Sequence, residues 1–114
     1  EGEPVSRHLG KMKKESGKPC YCLFIAPTIN EACIAHFYGL HRVNISYYGG
    51  KSTIIPLPLN VFRKMLEDSY KVEYTPNSGQ VRSFLERSNE LAENCENEKQ
   101  WFEEITKSAI NWLR

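Results

Sequence analysis

The 114-residue chain is predicted to be an α/β layer, a short mixed sheet flanked by helices and closed by a C-terminal helical hairpin. Three observations carry this reading. The run Cys20 to Ala26 is apolar at both odd and even positions, unlike a half-wetted strand, and so belongs inside a sheet covered on both sides. Helix-period patterns stand before and after it. Two more such patterns, separated by residues 94–97, end the chain.

Length and composition narrow the class. At 13.2 kDa the chain can bury an ordinary core as one domain, or one domain with a small appendage. A hydrophobic share of 40%, with 11% aromatic and 25% charged residues, excludes disordered and collagen-like polymers. The formal charge of +1 gives no global drive toward nucleic acid or an anionic membrane. Local charge is uneven. Residues 1–18 hold five basic against three acidic side chains, a local +2, whereas residues 86–104 hold seven Glu against Arg87 and Lys99, a local −5. A polyanion should therefore meet the N-terminal face and avoid the C-terminal one. With no signal peptide and no apolar run near the ~18 residues a spanning helix needs, the expectation is a soluble intracellular protein with no membrane partner. Cys20, Cys22, Cys33 and Cys95 fall inside apolar patterns, as buried, reduced thiols do. The chain opens at Glu1 inside a helix start, so it is expected to be a fragment of something longer.

The first helix spans Glu1 to Ser16, with Pro4 in its first turn, where a missing N–H costs nothing, and Gly17 as its stop. On a helical wheel Val5, His8, Leu9 and Met12 share a face, and Arg7, Lys11 and Lys14 form a basic stripe almost opposite. After the strand, Thr28 and Glu31 match the S/T-x-x-E capping box and start a helix to about Leu40. Its inward residues are read as Ile29, Cys33, Phe37 and Leu40, flanked by Ala32 and His36. Arg42–Tyr48 and Ser52–Leu57, separated by Gly49-Gly50, read as a hairpin whose second strand, carrying Pro56 and Pro58, is short or at an edge. Leu59, Phe62, Met65, Leu66 and Tyr70 then follow at helical spacing, with Asn60 as cap. Lys71 to Asn77 is a connector carrying Pro76, and Val81 to Cys95 and Trp101 to Leu113 form the closing pair of helices.

Most chemical motifs have plainer explanations. Cys20-x-Cys22 lacks the spacing and the second ligand pair of a zinc site. His36 near Cys33 fits a satisfied histidine on an apolar helix better than an activated nucleophile. The junction Ala26 to Glu31 lies where open α/β sheets place ligands, yet Pro27 lacks an amide and Glu31 competes with anions for the helix start. The stripe Arg7, Lys11, Lys14 is either a solvated helix face or a set of phosphate contacts.

Taken together, Glu1-Gly-Glu-Pro-Val-Ser-Arg-His8, Cys22-Leu-Phe-Ile-Ala-Pro-Thr-Ile-Asn30, His36-Phe-Tyr38 and Ile54-Ile-Pro-Leu57 followed by Phe62 resemble the AlwI-type family of type IIS restriction endonucleases. The resemblance covers residues 1 to about 68. It implies a PD-(D/E)xK nuclease cleavage domain, similar to the Fok-type domain, that uses Mg²⁺ to cut DNA at a fixed offset from its recognition site in a bacterial or archaeal cytoplasm. In that family the metal-binding acidic residues lie on two strands upstream of the Glu-Gly-Glu-Pro-Val helix, and no Asp or Glu of this chain has Lys two positions later.

The resemblance therefore implies a partial restriction-endonuclease-like fold. Residues 1–72 would be the second half of the cleavage domain and residues 73–114 a helical hairpin packed on it. The fragment is expected to contain no catalytic carboxylate, bind no metal and be inactive alone. Glu1, Glu3, Arg7 and His8 are the candidates for active-site support, with a core role as the alternative for His8, and Arg7, Lys11 and Lys14 are those for DNA phosphate contact. The partners implied are DNA, the remainder of the same chain, and a second copy meeting it through the 4–16 helix. Pro58 departs from the family, which tends to carry Ser or Thr there as a helix cap. Two other classes stay open: a protein-interaction module using the basic helix or acidic hairpin, and a small nucleotide-binding enzyme using the Ala26 to Glu31 junction.

Overall fold

A computed structural model describes residues 2–71 and 78–113. Its elements are α1 (Gly2–Ser16), β1 (Tyr21–Ala26), α2 (Glu31–Arg42), a 3-10 turn (Ser46–Tyr48), β2 (Thr53–Pro58), α3 (Leu59–Lys71), α4 (Ser78–Asn94) and α5 (Glu98–Ile110). Five helices thus surround a two-stranded sheet among the described residues. The expected connector falls, for residues 72–77, outside the described residues.

The two strands run parallel, with Tyr21 opposite Thr53 and Ala26 opposite Pro58, and α2 is the crossover between them. This completes a βαβ unit and overturns the expected hairpin. Of that hairpin only an antiparallel bridge between Ile45 and Gly50 survives. Gly49 and Gly50, at φ 76° and 103°, take backbone conformations that side chains resist, so the chain curls through a 3-10 turn instead of returning along residues 42–48.

The strand covered on both faces is β2, not β1. β2 is buried from Thr53 to Leu57, whereas β1 leaves Leu23 38% and Ile25 37% exposed. The prolines of β2 are nevertheless in an edge setting. His41 of α2 meets the backbone of Ile54, with Nε2 2.9 Å from its O and 3.2 Å from its N. That backbone unit therefore faces away from β1. By the two-residue period of a strand, Pro56 and Pro58 face the same way and forfeit no bond to β1.

The helix starts also differ. Asn30, not Thr28, caps α2, its side chain accepting the Ala32 N–H at 2.7 Å. Asn30 has the extended backbone a cap needs, and the helix continues to Arg42. Its buried residues are Ile34, Phe37, Leu40 and His41, so the inward face is turned from the expected one, and Cys33 is half-buried. α3 begins at Leu59 directly after Pro58, placing Asn60 inside the helix, and buries Met65 while Leu59, Leu66 and Tyr70 stay exposed.

Trp101, fully buried, joins the C-terminal helices to the rest. Its indole N–H donates to Ser88 O at 3.0 Å, and its ring lies 4.8 Å from the His41 ring and 5.6 Å from that of Tyr38. Tyr38 in turn donates its hydroxyl to Cys95 O at 2.8 Å. The hydrophobic core is continuous from Leu9 and Phe37 through Ile54 and Ile55 to Trp101 and Ala109.

His41 makes folding pH-dependent. Asn89 Oδ1 accepts from Thr53 Oγ1 at 3.0 Å and lies 2.8 Å from His41 Nδ1, so a neutral ring protonated at Nδ1 donates to Asn89 and accepts the Ile54 N–H. Burial pushes the His41 pKa below 6.5, against the opposing pull of its bonds to Ile54 and Asn89. Above 6.5 the ring is neutral folded or unfolded; below it the unfolded chain takes up the proton first, so stability is lost as pH falls toward the lowered folded value. Thermal melts from about pH 7.5 to about pH 5.5 should show a falling midpoint. The decline should be shallower in His41→Gln, and equal slopes would contradict the assignment.

Candidate nucleic-acid interface

α1 forms as expected from Gly2 to Ser16, and Gly17, at φ 64°, ends it by donating its N–H to Lys13 O. Its inward face keeps Val5 and Leu9 from the wheel but turns away from His8 and Met12. Ser6, Leu9 and Gly10 are buried, while His8 and Met12 are exposed. Small residues set this rotation. Ser6 Oγ lies 3.0 Å from His36 Nε2 of α2, and Gly10 lies directly against the backbone of Tyr48. Close approach, rather than side-chain hydrophobicity, decides which face turns in.

That rotation leaves Arg7, Lys11 and Lys14 pointing outward along one line. They border a surface depression of about 330 Å³ with Glu15 and the exposed ring of Tyr47. The 3-10 turn places Tyr47 there because α1 holds the turn by its carbonyls: Lys14 Nζ donates to Tyr47 O at 2.8 Å and Lys13 Nζ donates to Lys51 O. The Lys14 ammonium also sits 5.6 Å from the centre of the Tyr47 ring, a cation–π distance. Tyr48 donates its hydroxyl to Glu3 at 3.0 Å, and Glu3 pairs with Arg7 at 3.8 Å. Desolvation, and then the neighbouring Glu3 carboxylate, push the Tyr48 phenol above 10.0.

The basic side chains are loosely held. The Glu3–Arg7 pair at 3.8 Å and the Lys11–Glu15 pair at 4.0 Å are both exposed. Such i,i+4 pairs are worth about 0.3–0.5 kcal/mol and exchange readily for a phosphate.

The structure brings Glu3, Arg7, Lys11 and Lys14 onto one surface, and Glu1 lies outside the described residues. His8 is exposed, which overturns the core alternative for it. Sequence reasoning missed Tyr47 and Tyr48, read as part of a strand. The adjacent Gly49-Gly50 pair was the available signal that they lie in a tight turn.

The cysteines and the junction before α2 show no competing chemistry. Burial pushes the Cys22 and Cys95 thiols up, away from thiolate. His36 bonds Ser6 as a satisfied histidine, and the Asn30 cap occupies the Ala32 amide that an anion at that helix start would want.

The family model for the AlwI restriction endonuclease matches residues 1–65. The chain belongs to the AlwI restriction endonuclease family. The match runs through α1, β1, α2, the 3-10 turn, β2 and half of α3, and so takes in every residue of the basic surface. Neither the curated proteins nor the solved structures return a match. No described helix is long and apolar enough to cross a membrane.

Restriction endonucleases typically use metal ions. Among the described residues no group of three or more His, Cys, Asp or Glu side chains is placed to hold a metal ion. What this AlwI-family surface can do chemically is neutralise and position phosphates.

Gly10 tests the docking that builds the surface. A Cβ there would lie 2.8 Å from Tyr48 Cα and 2.9 Å from Tyr48 O, whereas one at Gly39 meets nothing within 4 Å. Gly10→Ala should cost about 1–3 kcal/mol in denaturant unfolding. Gly39→Ala should be neutral or stabilise by up to about 1 kcal/mol. Equal effects would contradict the close packing.

Proposed function

We propose that this chain is the scaffold and DNA-backbone-holding part of a restriction endonuclease that hydrolyses phosphodiester bonds at a fixed offset from its recognition site. The carrying observation is the convergence of Arg7, Lys11, Lys14 and Tyr47 on one open depression within the family-matched segment. Three cations spaced along one helix suit a row of phosphates, and an exposed aromatic ring beside them suits a sugar or base face. No sequence readout is assigned to this surface.

In this reading Mg²⁺-assisted attack of water takes place on carboxylates supplied from outside this chain. The chain alone is then inactive with Mg²⁺, and Glu3 supports the active site through Arg7 and Tyr48. The uneven charge favours the same orientation: residues 86–104 carry seven Glu against Arg87 and Lys99 and would repel a polyanion. The flank of α1 beside the basic stripe keeps Met12 58% exposed next to His8, and two copies would meet there without covering Arg7 or Lys11.

Fluorescence anisotropy with a labelled duplex, read as a function of salt, tests the proposal. The chain should bind at low salt, and Arg7→Ala/Lys11→Ala/Lys14→Ala should weaken binding and flatten the log–log salt slope by about 2–3. Lys107→Ala, on α5, should change little. No duplex affinity at low salt, or an unchanged slope in the triple variant, would refute the reading.

A further inference from the structure

A second polar cavity, of about 280 Å³, opens where the end of α1, the starts of β1 and β2, and α4 meet. We infer that it binds a phosphate group, held by the ammonium groups of Lys13 and Lys51 and the side-chain amide of Asn89.

The donor set is built in. Asn89 Oδ1 already accepts from Thr53 Oγ1 and faces His41 Nδ1, which fixes the amide and leaves its NH₂ for the cavity. Lys13 spends one N–H on Lys51 O and keeps two. Lys51 approaches from the loop before β2 and pairs with Glu93 at 3.8 Å, an exposed contact that a doubly charged phosphate can displace.

The cavity lining carries two cations, Lys13 and Lys51, against one carboxylate, Glu93, a net +1. No carboxylate pairs with Lys13 among the described residues, and burial pushes its ammonium pKa below 10.5, opposed by Cys20. A partly buried cation without a counter-ion is costly, and a bound anion relieves that cost. Lys13 lies on a different side of α1 from Arg7 and Lys11, so the cavity is separate from the outward basic surface and does not depend on the DNA reading.

The source of the phosphate is either a DNA backbone or a free phosphate or phosphomonoester, and amide-resolved NMR titration of the 114-residue chain separates them. Inorganic phosphate should shift the Lys51, Thr53 and Asn89 resonances saturably. Lys13→Gln and Lys51→Gln should each weaken that binding roughly tenfold, the loss of one charge-assisted contact. Glu93→Gln should tighten it, so the test survives if one lysine variant folds poorly. Arg7→Ala/Lys11→Ala/Lys14→Ala should leave the phosphate shifts intact, which keeps failure of the DNA proposal distinct from failure of this one.

If a short duplex moves the same resonances, the phosphate belongs to DNA; if only inorganic phosphate does, the ligand is a free phosphate or phosphomonoester. Either result supports the site. Resonances unmoved by inorganic phosphate, or shifts equal in all three cavity variants, would overturn it.

Discussion

The contact between His41 and the backbone of Ile54 governs how this molecule is assembled. It turns the outer edge of β2 toward α2, and the same alternation hands Pro56 and Pro58 to that edge, where the missing N–H groups cost no bond to β1. With one side of the pair closed this way, the sheet can be extended only beside β1. That strand carries Leu23 and Ile25 partly exposed on one face. His41 also packs its ring on Trp101, so the contact that closes the sheet edge anchors the C-terminal helices. Because burial lowers the ring's pKa, the arrangement loses stability as pH falls below the ordinary imidazole value.

The basic surface depends on a second constraint, the absence of a side chain at Gly10. The backbone of Tyr48 rests where a Cβ would be, and Lys13 and Lys14 complete the docking by donating to the carbonyls of Lys51 and Tyr47. Two lysines of α1 thus build the loop, and one of them, with Arg7 and Lys11, borders the depression that the loop completes. The exposed ion pairs along this face are weak enough to be replaced by phosphates.

Much of the architecture was legible in the sequence, for physical reasons that separate the successes from the misses. Long periodic runs identified α1, α4 and α5, and the resemblance of residues 1 to about 68 anticipated the family match over residues 1–65. Arg7, Lys11 and Lys14 were legible as one surface because i, i+4, i+7 spacing fixes them on one line. The misses all depended on contacts between distant segments. Periodicity cannot tell that Ser6 and Gly10 turn inward to admit His36 and Tyr48, and so the wheel placed His8 and Met12 on the wrong side. Nor can β-propensity tell a hairpin from a parallel crossover when Gly49-Gly50 suits either. The cavity around Lys13, Lys51 and Asn89 is a product of that crossover and has no local signature.

Hydrogen exchange of the chain with and without a DNA duplex most directly tests whether α1 and its docked loop are the DNA-holding face. Protection should appear over residues 7–14 and 46–50 and be absent from residues 86–104. Protection confined to the acidic helices, or none at low salt, would contradict it.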